Sequence, residues 1–240
     1  MQENIVHPGT PANSTTENLL RDIRTAAKSD PDLELALSAL DEDDQWEIVT
    51  ALGAMSGSGG LGLLWRVAQN VDSAGECRIA AVHALTRRLG PAVSDFLRQC
   101  LHDHDDDLRD TAVMGLAAFG NDVAWEDAWD VLRTALEEQN PTPPDALPSK
   151  TLVLQSKILP VVCYLGRHLA DDARRRRVTD LIRENWSKLY TAEQQWFEEH
   201  WAACNPSTTE TSLTDSLQPG AGVLADWVRI PFFDNDLVGQ

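Results

Sequence analysis

Apolar residues recur every three or four positions from about Thr16 to Cys204, a spacing that winds one apolar stripe along each of a series of helices. Alternating or β-branched runs never last six residues, so strand signals are nearly absent over that span. Gly57-Ser58-Gly59-Gly60, Gly75, Gly90-Pro91 and Gly120-Asn121 interrupt the stripe at intervals suited to helix pairs, and Pro141-Thr142-Pro143-Pro144 makes a longer break. Pro91 suits the first turn of a helix, where its missing N–H would be unpaired anyway. The predicted helices are 16–28, 32–40, 43–56, 60–71, 75–89, 91–101, 105–119, 123–138, 150–169, 171–187 and 190–203. The chain reads as all-α. Residues 1–15 form a flexible leader, 16–204 the helical domain, 205–222 a Ser/Thr/Pro/Gly-rich linker, and 223–240 an apolar C-terminal segment.

Within the helical domain the pattern repeats. Cys77 to Leu85 lies over Leu108 to Leu116 at an offset of 31, each with an arginine (Arg78, Arg109), small residues at three-residue spacing, a leucine, and a closing glycine (Gly90, Gly120). A weaker copy upstream places Gln45 at the arginine position, followed by Ile48, Ala51 and Leu52. Small residues at that spacing allow a neighbouring helix to approach the backbone closely. A lone helical hairpin cannot cover its own apolar face, so such units stack.

The run Asp105-Asp106-Asp107-Leu108-Arg109, through Ala112 and Leu116 to Phe119-Gly120, resembles the short bacterial HEAT repeat, the type also found in phycobilin lyase relatives. Glu76 to Gly90 is similar, residues 43–71 less so, and 150–187 faintly, with Pro160 as a candidate kink. The resemblance implies a HEAT-like α-solenoid, a right-handed α-α superhelix with a mobile C-terminal tail. It implies a curved binding surface and no particular reaction.

Charge narrows the partners. Among 240 residues, 38 acidic side chains face 20 basic ones, a net charge of −18, which argues against direct binding of nucleic acid. The imbalance is concentrated: residues 1–150 hold 26 acidic and 11 basic groups, and the remainder 12 and 9. The longest apolar run, Ile158 to Leu165, is too short to cross a bilayer, and the N-terminus lacks a signal-peptide pattern. Four cysteines without a CxxC pair suit reduced thiols and a cytoplasmic protein.

His102-Asp103-His104-Asp105-Asp106-Asp107 is the richest polar cluster, and His102, His104 and Asp106 are weak metal candidates. In the repeat register the same residues stand where carboxylates cap the next helix. No His-Glu pair, phosphate loop or nucleophile elbow is present in the sequence, so no enzyme and no cofactor is expected. Aspartates and glutamates preceding successive first-of-pair helices, among them Asp43, Asp44, Glu76, Asp105, Asp106 and Asp107, would line one edge if equivalent turns stack about 10 Å apart. They either cap their own helices or together hold a basic partner.

Trp125 and Trp129, one turn apart and flanked by Asp130 and other acids, are either core or anchors for a partner's Arg or Lys. Trp46 and Trp65 fall on apolar faces, while Trp186, Trp196, Phe197 and Trp201 are placed to seal the end of the stack. Arg174 to Arg177 reads as a solvated face paired within its helix to Asp171, Asp172 and Asp180. Beyond the linker, Trp227, Phe232 and Phe233 belong to a segment that either caps the last helices or docks on a partner. The resulting expectation is a non-enzymatic protein-binding repeat protein with an acidic surface and a basic protein partner, of immunity or inhibitor type. The alternatives are a lyase-related or metal-dependent enzyme or accessory, and an assembly scaffold.

Overall fold

The structure, a computed structural model, describes residues 12–25, 30–73, 75–139, 156–169 and 171–208. These form helices and, among the described residues, no strand. In chain order they are α1 (Ala12–Thr25), α2 (Asp30–Ser38), α3 (Glu42–Ala54), α4 (Leu61–Gln69), α5 (Gly75–Leu89), α6 (Ser94–Cys100), α7 (Asp106–Phe119) and α8 (Trp125–Glu138). Then follow α9 (Leu159–Arg167), α10 (Asp172–Glu184) and α11 (Thr191–His200). Short 3₁₀ turns occupy Gly90–Val93, Asp122–Ala124, Trp186–Lys188 and Ala202–Cys204.

Four expected boundaries change, each for a local reason. The leader ends earlier than expected, because residues 12–15 already belong to α1. The helices expected from 91 and 123 open as 3₁₀ turns, the second held by the Asn121 side chain accepting from Val123 N at 3.0 Å. Pro160 does not kink a helix; it stands in the first turn of α9, where no N–H is required. Residues 205–208 are not linker: Asn205 Oδ1 accepts from Ser207 N at 2.8 Å, and Arg183 donates to Thr208 O at 3.0 Å. The proposed C-terminal segment, with Trp227, Phe232 and Phe233, lies outside the described residues.

The chain divides into two compact units, Met1–Leu85 and Thr86–Gln240, with the division inside α5. In the first, α1 packs on α2 and α3, and α2 on α4. Leu19, Ile23, Leu33, Leu37, Ile48, Leu52, Leu63 and Leu64 are buried there, each contributing roughly 1.5–3 kcal/mol. The small-residue spacing has its expected use: a Cβ on Gly53 would stand 2.9 Å from the Ala84 Cβ, so α3 and α5 meet at nearly bare backbone.

In the second unit α6 packs on α7, and α9 lies against both α7 and α8. A Cβ on Gly115 would lie only 3.0–3.1 Å from Leu97 and Thr86 side-chain atoms, the same device one repeat on. Near the end of the described chain Phe197 is fully buried, with Trp196 edge-on at 5.3 Å and Trp186 at 6.2 Å. All four cysteines are buried thiols outside any disulfide, and burial pushes the Cys163 pKa up to about 12, so this thiol stays protonated.

Candidate protein-binding surface

The acidic corners do cap helices. Asp41 accepts from Asp44 N at 2.9 Å to open α3, Asp105 from Asp107 N and Leu108 N at 3.0 and 3.2 Å to open α7, and Asp171 from Arg174 N at 2.7 Å to open α10. Asp44 has a further task, accepting from Thr16 Oγ1 at 3.2 Å and so tying α1 to α3. Asp43, Glu76, Asp107 and Asp130 are exposed, while Asp44 and Asp105 are half-buried and engaged.

The histidines beside these corners do not converge on a metal site. His102 meets Asp127 at 2.8 Å, His104 meets Asp103 at 3.2 Å, and Asp106 takes Arg109 at 2.5 Å. Among the described residues no group of three or more His, Cys, Asp or Glu side chains is placed to hold a metal ion. Asp127 is also held by Arg98 at 2.6 Å; the Arg98 and His102 hydrogen bonds outweigh its burial and keep its carboxyl below the usual range.

Of the two readings of the tryptophans, Trp125 takes the core one, and Trp129 is half-buried against it. Trp125 is only 1% exposed, so its ring is not free to anchor a partner. Its indole N–H points to Leu165 O at 3.4 Å, and Trp129 stacks on it with centroids 6.0 Å apart. The cations expected from a partner come instead from α10. Arg174 lies 4.6 Å from the Trp125 ring, and Arg177 lies 4.9 Å from Trp125 and 4.7 Å from Trp129. Arg177 also forks onto Glu126 at 3.0 and 3.1 Å, and Arg174 approaches Asp122 at 3.8 Å. The arginine run is therefore solvated in part but not paired only within its own helix: Arg174 and the exposed Arg177 clamp α8.

The turn leading into α8 is fixed from α9. Tyr164 OH donates to Asn121 O at 2.7 Å and accepts from Ala124 N at 3.1 Å, Arg167 donates to Ala117 O, and His168 Nε2 donates to Gly120 O at 3.0 Å. Desolvation pulls the His168 pKa below its ordinary 6.5, so the neutral ring is the native form. The unfolded chain then binds the extra proton, and the stability His168 contributes is complete above pH 6.5 and lost on acidification below it. Urea midpoints taken between pH 7.5 and pH 5 should fall, and His168→Gln should flatten that part of the curve.

The first unit, Met1–Leu85, carries 13 carboxylates and five basic side chains, Arg21, Arg24, Lys28, Arg66 and Arg78. Residues 29–77 contain ten carboxylates and one basic side chain, Arg66, which is already bound to Glu34 at 2.7 Å. On α3, Glu42, Asp43 and Glu47 are exposed together.

A model of HEAT repeats matches residues 29–117 and 63–143, and it does not choose the phycobilin-lyase type among them. No curated protein and no solved structure matches the chain. The matched span covers α2 to α8, whose helix pairs carry the small-residue contacts described above, and so residues 29–143 of this chain are HEAT repeats.

Proposed function

We propose that the chain is a non-enzymatic binding protein that holds a basic protein on the acidic face of its N-terminal repeats. HEAT repeats commonly mediate protein–protein interaction, which sets the general class. The observation that carries the finer reading is the imbalance over residues 29–77, ten carboxylates to one committed arginine, against a second unit that answers Asp122, Glu126 and Asp127 with its own arginines. An open field of one sign raises the encounter rate with a cationic surface and then holds it. An immunity or inhibitor protein that masks the positive site of a toxin or nucleic-acid enzyme would be built this way.

Other features fit this reading. Buried thiols outside any disulfide suit a cytoplasmic setting, and no described helix is long and apolar enough to cross a membrane. The net charge of −18 disfavours nucleic acid as a direct ligand. The test is association with the products of neighbouring open reading frames at about 50 and about 500 mM salt, across which the Debye length shrinks roughly threefold. The complex should form with a basic product and weaken steeply at the higher salt; a complex indifferent to salt overturns the proposal.

A further inference from the structure

We infer that the cleft walled by α2, α3 and α4 receives an apolar side chain from a basic peptide segment of the partner. This rests on the binding function proposed above and assigns it a place. The cleft measures about 310 Å³, with Leu35, Leu37 and Val67 on its walls and Gln45 and Asn70 among its polar groups. That volume lies at the small end of ligand sites, roughly 300–1,000 Å³, and suits one or two side chains better than a whole cofactor.

Exposure marks the same place. Among the described residues the exposed large hydrophobics are Leu35, 72% exposed, and Val71, 65% exposed. Leu35 lines the cleft, and Val71 follows the lining residue Asn70 in the chain. A small molecule seated inside would leave Leu35 largely wet. A peptide crossing the rim covers it while sending one side chain down between Leu37 and Val67.

Charge selects the peptide. The cleft sits within residues 29–77, whose sequence holds ten carboxylates and one basic side chain, Arg66, on the cleft wall. Arg66 holds Glu34 Oε2 at 2.7 Å, and the Glu34 side chain remains 48% exposed. A lysine or arginine beside the peptide's apolar residue therefore meets an available carboxylate, whereas an acidic peptide meets repulsion. The occupant is an apolar residue flanked by cations, presented by a basic protein.

Fluorescent peptides of about twelve residues, Lys/Arg-rich with a central leucine, test this against the full chain by anisotropy. Controls carry a central serine or have glutamate in place of every cation. Exposed positions allow two variants without loss of fold, L35S/V71S at the cleft and D107N/D130N in the second unit, each checked by thermal melting. The basic leucine peptide should bind, and either the central serine or L35S/V71S should weaken it roughly tenfold or more. D107N/D130N should leave that affinity within about twofold. Basic peptides that bind equally with leucine or serine, and equally to L35S/V71S, would overturn the cleft while leaving the acidic-face function standing. Basic peptides that bind no better than glutamate peptides would overturn both.

Discussion

Replacing Trp125 with alanine is expected to destabilise the Thr86–Gln240 unit by about 3–5 kcal/mol, the range for a large aromatic removed from a packed interior. The side chain is 1% exposed, stacks on Trp129, and forms the surface on which Arg174 and Arg177 lie. Its loss leaves a cavity between α8 and α9 and removes the ring beneath both guanidinium groups. Urea denaturation followed by circular dichroism measures the change. An exposed anchor would behave oppositely, losing partner affinity with less than about 1 kcal/mol of stability lost. Arg177→Met, which keeps much of the apolar stem but removes the fork onto Glu126, should cost far less, about 1 kcal/mol, because that pair is largely exposed.

The second large effect belongs to Glu193, a fully buried carboxylate on which three uncharged donors converge. Ser156 Oγ donates to it at 2.6 Å, Gln139 Nε2 at 2.7 Å and Tyr190 N at 3.0 Å. Ser156 Oγ in turn accepts from Ile158 N and Leu159 N at 3.0 Å, so one side chain joins the end of α8, the start of α9 and the start of α11. Glu193→Ala should cost about 3 kcal/mol or more, since each stranded donor carries its own desolvation penalty. Glu193→Gln keeps the shape and the bonds from Gln139 and Tyr190 but leaves the Ser156 hydroxyl without its acceptor, since Ile158 N and Leu159 N already occupy that oxygen; about 1–2 kcal/mol is expected, less than for alanine. Equal losses for the two substitutions would show that packing, not the hydrogen-bond junction, is what Glu193 supplies.

Much of the fold was legible because its local rules act within one turn. The alanine and glycine spacing of α5 and α7 follows from the need for backbone approach, and Gly53 against Ala84 and Gly115 against Thr86 are where that need falls. The caps Asp41, Asp105 and Asp171 are equally local. What the sequence withheld depends on partners far along the chain. Trp125 and Trp129 announce a shared face, and Arg174 and Arg177 another, but nothing in either run tells that the two faces meet across some fifty residues. Glu193 looks like an ordinary first-turn acid until Gln139 and Ser156 are brought to it. Asp44 likewise reads as a surface acid until Thr16 arrives from α1.

These pairings bear on where the proposed binding surface lies. The acids expected around the tryptophans are in large part answered from within the second unit, while Glu42, Asp43 and Glu47 on α3 remain exposed in a stretch with little positive charge. The most direct measurement is therefore a titration of a basic partner against the full chain and against E42Q/D43N/E47Q, each at about 50 and about 500 mM salt. The altered chain should bind roughly tenfold more weakly at low salt, with a flatter salt dependence and an unchanged melting temperature. Equal affinities and equal salt slopes for the two chains would contradict the claim that the acidic face of the first repeats holds the partner.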